Sequence, residues 1–125
     1  MKTRLDKLAN QAARTAKSQD VDTVHDLRVG IRRFSQGLIL FPDFFPADDV
    51  KKIRKRLKSV MNLSSEVRNR DIALEHLDSS GDDLVKGRLR EERTSHAVKL
   101  KAGLDKWAAR DYPVRWRASL ELEPK

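Results

Sequence analysis

Apolar residues return along this chain at intervals of three and four, the pattern of amphipathic helices that each bury one face. The longest stripe is Val24, Leu27, Ile31, Phe34, Leu38 and Phe41. It predicts a helix from Val21 to Phe41, about 30 Å long at 1.5 Å per residue. Leu5, Leu8, Ala12 and Ala16 predict an earlier helix over residues 3–18, with small alanines suited to close packing. Val50, Ile53, Leu57 and then Val60 or Met61 predict a third helix starting near Ala47. Ser64 and Ser65 read as a break in it, followed by a second helical piece through Leu77. Val85, Leu89, His96, Leu100, Leu104 and Trp107 predict a fourth helix over residues 83–110. The period-two alternation of strands is nearly absent.

The punctuation agrees with this division. Asp20 or Asp22 can cap the second helix, and Phe41-Pro42 ends it because a residue before proline avoids the α region. The apolar corner PDFFP offers Phe44 and Phe45 as plugs for one end of the bundle. DSSGDD at 78–83 is the clearest loop, and Tyr112-Pro113 stops the last long helix. The expected architecture is all-α: an antiparallel four-helix bundle over residues 1–110, followed by a tail over 111–125. In that tail Trp116 should cover apolar surface, and the last residues should fray.

Composition narrows the picture. A length of 125 residues fits one domain, and 38% hydrophobic with 37% charged residues describes a soluble chain with narrow apolar stripes. There is no apolar run long enough for a membrane span and no apolar leader at the N-terminus. The absence of cysteine excludes disulfides and thiolate chemistry, and the cytoplasm is the expected compartment. The net charge of +8 is uneven: residues 1–62 carry 14 basic against 7 acidic groups, whereas residues 63–125 carry 13 against 12. Such a one-sided positive field concentrates anions.

The candidate chemistry lies in that basic half. His25, Arg28 and Arg32 fall at i, i+3 and i+7 of the second helix, on one face turned from the Leu27/Ile31 stripe, and Arg33 flanks them. The run KKIRKRLK supplies Lys51, Lys52, Arg54, Lys55, Arg56 and Lys58, and Arg68 and Arg70 follow. Aligned like charges repel by about 0.2–0.5 kcal/mol per pair even on an exposed helix. A linear phosphate chain would relieve that repulsion, gripped by arginine forks and lysine point charges. It would also favour the charged form of His25. The ordinary alternative for such a face is a solvated surface without a ligand. His96 reads as a partly buried packing residue and His76 as exposed, and the three histidines lack metal-ligand spacing. No cofactor and no metal site is expected. Asp71 and Glu75, one turn apart, leave open a metal-dependent phosphohydrolase or a domain accessory to one. A nucleic-acid-binding bundle also remains open, although an aromatic content of 6% offers few stacking platforms.

VHDLRVGIRRF at 24–34, followed by LF at 40–41, resembles the signature helix of the CHAD family, the conserved-histidine α-helical domains. Val24, His25, Leu27, Arg28, Val29, Arg32 and Arg33 match it. VRNRDIALEHL at 67–77 resembles that family's second motif through Arg68, Asp71, Ile72 and Leu77. Ser35 stands where the signature has its last arginine, Asn69 replaces the first aspartate of the second motif, and Ser64-Ser65 takes the place of a glycine turn. The resemblance implies a helical, non-enzymatic module that binds inorganic polyphosphate. It implies a ligand-facing set of His25, Arg28, Arg32, Arg33, Lys51, Lys52, Lys55, Arg56, Lys58 and Arg68. It also implies association with polyphosphate granules and with triphosphate-tunnel partner proteins. The chain resembles the N-terminal half of the family's double bundle. It is thus either a fragment or a unit that pairs, and a two-fold homodimer lining a shared basic channel is the preferred expectation.

Overall fold

The computed structural model describes residues 2–40, 45–77 and 82–120. Five helices form among them: α1 (Lys2–Lys17), α2 (Val21–Leu40), α3 (Ala47–Leu77), α4 (Asp83–Ala109) and α5 (Tyr112–Ser119). No strand forms among the described residues. The expected all-α class is therefore the observed one, with one helix more than the four expected.

The first four helices close a ring. α1 packs on α2, α2 on α3, α3 on α4, and α4 returns to α1, while α5 lies against α1. Neighbours run antiparallel, as their polar ties show. Glu66 faces His96, Arg70 faces Glu92, and Asp71 faces Arg93 across α3 and α4. Arg4 reaches the carbonyl of Arg33 across α1 and α2. Gly30, buried on α2, permits this pair's close approach, because a Cβ there would run into the Gln11 side chain.

On α1, α2 and α3 the buried positions are largely those the periodicity selects; on α4 Leu89 and His96 are half-buried and Ala97, outside the expected stripe, is buried. Leu5, Leu8 and Ala12 of α1 meet Val24, Leu27, Ile31, Phe34 and Leu38 of α2. α3 contributes Ile53, Leu57, Val60 and Val67, and α4 contributes Ala97, Leu100, Leu104 and Trp107. Val85 departs from the expected α4 stripe and is exposed, so the buried face of that helix begins further along. Phe45 packs against the core, whereas Phe41 and Phe44 lie outside the described residues.

Two expectations need correction. Ser64 and Ser65 do not break α3. Both hydroxyls donate back to the Met61 carbonyl at 2.8 Å, so they satisfy themselves inside the helix and the ladder continues. Ser64 is fully buried on the same stripe as Val60 and Val67. The segment after Arg110 also forms more structure than a tail. Asp111, in the left-handed region at φ 51°, turns the chain, and Pro113 starts α5. Trp116 then stacks on Phe34 at 6.1 Å between ring centroids and meets Trp107 edge-on at 5.0 Å. It covers apolar surface as expected, but as part of the core, together with Tyr112 and Leu120.

Polar groups lock the ends. The Gln19 side-chain amide donates to the carbonyls of Thr15 and Ala16, closing the C-terminus of α1. Asp82 caps α4 by accepting from the Leu84 N–H at 2.9 Å. Gly87 sits inside α4 with open space around it, so nothing requires glycine there. Gly87→Ala is expected to stabilise the fold by about 0.8–1 kcal/mol, the helix-propensity difference. Denaturant melts of the two proteins check this; an equal or lower midpoint for the variant would contradict an unobstructed helical position.

Candidate functional site

The basic run on α3 is divided by helix geometry. At about 100° per residue, Lys51, Arg54, Lys55 and Lys58 share one arc, Ile53, Leu57 and Val60 point inward, and Lys52 and Arg56 occupy the opposite flank. On α2 the same rotation places Arg28, Arg32 and Ser35 toward α3 and places Arg33 on the other side of the buried stripe.

The structure follows that division for Arg54, Arg56 and Lys58, whereas the long side chains of Lys52 and Lys55 line the grooves on both flanks. A groove of about 800 Å³ opens between α2 and α3. Among the described residues its basic lining is Arg32, Lys51, Lys52, Arg54, Lys55 and Lys58, and its acidic lining is Asp48. Its floor is Ile31, Leu57 and Met61, and Ser35 contributes a hydroxyl on the α2 side. Over this apolar floor the described lining residues, six cations and one acid, give a strongly positive trough.

Arg28 anchors the neighbouring end. One guanidinium nitrogen donates to Ser65 Oγ at 2.7 Å, to Ser64 Oγ at 3.1 Å and to the Met61 carbonyl at 3.4 Å. The two serines thus orient an arginine that reaches across from α2. Burial lowers the Arg28 pKa below its ordinary value, and the like charges of Arg32 and Arg68 lower it further. A lowered pKa on a base means that the fold disfavours the charged form. Arg28 is nevertheless charged at neutral pH, so its charge costs the fold free energy there, and a neighbouring anion would offset that cost.

Not every expected site residue enters this groove. Arg33 lines a separate crevice between α1 and α2 with Arg4 and Lys7. Arg56 turns toward α5, with its guanidinium carbon 5.5 Å from the centre of the Tyr112 ring. His25 is exposed on the same face of α2 as Arg28 and does not line the groove. Arg68 is half-buried and close enough to Arg28 to act on it electrostatically. Arg54, part of the expected basic run, lines the groove with Lys51, Lys55 and Lys58, and Ser35 lines it where a further arginine was expected. His76 is exposed and His96 half-buried, as expected.

The phosphohydrolase reading loses its central residue. Asp71 is buried, and its Oδ1 accepts from Arg93 Nε at 2.7 Å, while Glu75 is exposed. Among the described residues, no group of three or more His, Asp or Glu side chains comes together in a way that could hold a metal ion. None of the described helices is long and apolar enough to cross a membrane.

Together these features define a class: a helical bundle that presents a narrow, lysine- and arginine-lined trough between two of its helices. A family model described as the CHAD domain matches residues 1–125, and the chain belongs to that family. Neither curated proteins nor solved structures give a significant match.

Proposed function

We propose that this domain binds inorganic polyphosphate without catalysis, in the α2–α3 groove. The observation that carries this reading is the set of six cations along one trough, with a single carboxylate among its described lining residues. Arg28 and Arg68 extend the positive field at one end, and His25 stands on the same face of α2. The lining suits a repeating anion: arginine forks take phosphate oxygens bidentately, and flexible lysines follow the chain between them.

The aromatics favour a phosphate chain over single-stranded nucleic acid. Of the described aromatics, Phe34, Trp107, Tyr112 and Trp116 are buried in the core and Phe45 packs against it, so none of these stands out on the α2–α3 groove to stack a base. In competition, polyphosphate should displace single-stranded DNA of equal charge readily, and the reverse should require a large excess. Equal exchange in both directions would favour a general polyanion surface.

Binding to the native state alone stabilises it by about 2.7 kcal/mol at a hundredfold excess over Kd. Relief of the charge on Arg28 contributes to the affinity that sets this Kd. Thermal unfolding with and without polyphosphate is expected to show a raised midpoint that returns toward the ligand-free value as salt is added. An unchanged midpoint at saturating polyphosphate would contradict binding to the folded bundle.

A further inference from the structure

The α2–α3 groove accounts for one flank of α3 only. On the other flank a second groove of about 660 Å³ runs between α3 and α5. Arg56, Arg110 and Arg115 line it, and among the described residues Asp49 is its one acidic lining residue. Lys52 and Lys55 line both grooves, so the two troughs meet over the α3 ridge without a neutral gap.

Tyr112 organises the second groove. Arg110 donates to its hydroxyl at 3.0 Å, and Arg56 and Arg115 lie over its ring at 5.5 and 5.7 Å from the centroid. The ring itself is buried and stacked on Trp116. A core aromatic therefore holds three guanidinium groups in a cluster, and among the described residues no carboxylate is paired to any of them. Arg110 and the neighbouring cations lower the Tyr112 pKa, which reports the same positive field. Clustered arginines without counterions are unfavourable unless an anion joins them, and guanidinium groups over an aromatic face keep outer N–H donors for phosphate oxygens.

We propose that a phosphate chain held in the α2–α3 groove crosses α3 at Lys52 and Lys55 and enters the α3–α5 groove, where Arg56, Arg110 and Arg115 bind its continuation. This rests on the reading of the first groove as a polyphosphate site. It makes chain length the quantity to which the domain responds: a short chain fills one groove, and a long chain engages both.

The test is calorimetric titration of the intact domain with short and long polyphosphates of defined length, using the natural sequence and the variant Arg110→Gln/Arg115→Gln. Both replaced residues are exposed, so helicity should be unchanged. The natural protein should bind long chains at least tenfold more tightly than short ones per chain. The variant should lose that advantage while keeping the short-chain affinity. The ring resonances of Tyr112, the one tyrosine in the sequence, should shift with long chains and stay in place with short ones. Equal long-chain affinity in both proteins, with an unmoved Tyr112, would overturn the second groove and leave the first standing. Absence of binding by either chain length would instead overturn the polyphosphate reading on which it rests.

Discussion

Reversing two charges in the α2–α3 groove, with Arg32→Glu and Lys58→Glu together, is expected to lower the affinity for short polyphosphate by at least about a hundredfold. Hydrogen bonds to charged groups contribute about 1.5–3 kcal/mol each, and every 1.4 kcal/mol is a factor of ten in affinity. Each reversal removes an attraction and adds a repulsion, so two of them exceed the hundredfold mark even after solvent screening. Arg32 and Lys58 are exposed, line the first groove and do not line the second. Circular dichroism should therefore show the native helicity, which separates lost binding from lost folding. Replacing Arg28 tests the same site less cleanly because it also joins α2 to α3. An affinity for the double variant within threefold of the natural protein would place the ligand elsewhere.

The second large effect concerns the fold. Asp71→Ala is expected to destabilise the bundle by about 3 kcal/mol, the lower end of the range for removing one partner of a buried ion pair. Asp71 lies on the α3 stripe among apolar neighbours and is matched by Arg93 of α4. Arg93 also donates to the Gln19 carbonyl at 2.5 Å, so one guanidinium ties α3, α4 and the α1–α2 connection together. Without Asp71 the Arg93 charge has only that carbonyl and partial access to water. Its side chain is 23% exposed, which sets the expected cost at the lower end of the range. Polyphosphate affinity of the folded fraction should be unchanged. Chemical denaturation and calorimetry on the same variant check the two halves of this expectation; intact stability with lost binding would assign Asp71 to the site instead.

Apolar spacing made most of the fold legible. The stripes of α1 and α2 are buried nearly as written, because a long amphipathic helix has few other ways to hide its apolar face. What escaped was decided by tertiary contact. Two adjacent serines read as a break, and only the approach of Arg28 shows why they sit within a helix. Eight residues with a weak pattern became α5 because Trp116 found Phe34, a partner distant in sequence, and folded back on Trp107. Within the candidate site, residue types and helix face were legible for Arg28, Arg32, Lys51, Lys55 and Lys58. The separation of Arg33 and Arg56 from them follows from helical rotation about the buried stripe. Arg110 and Arg115 could not be joined to the site from sequence, since nothing local places α5 beside α3.

The central claim is that several cations of the α2–α3 groove act together on one phosphate chain. Its most direct test is the salt dependence of affinity for a short polyphosphate of defined length. Six lining cations predict a linear fall of log K against log salt with a slope of about −4, taking about 0.7 per neutralised charge for a flexible polyanion. A slope near zero, or near −1, would show that the groove does not hold the chain as a unit and would contradict the account.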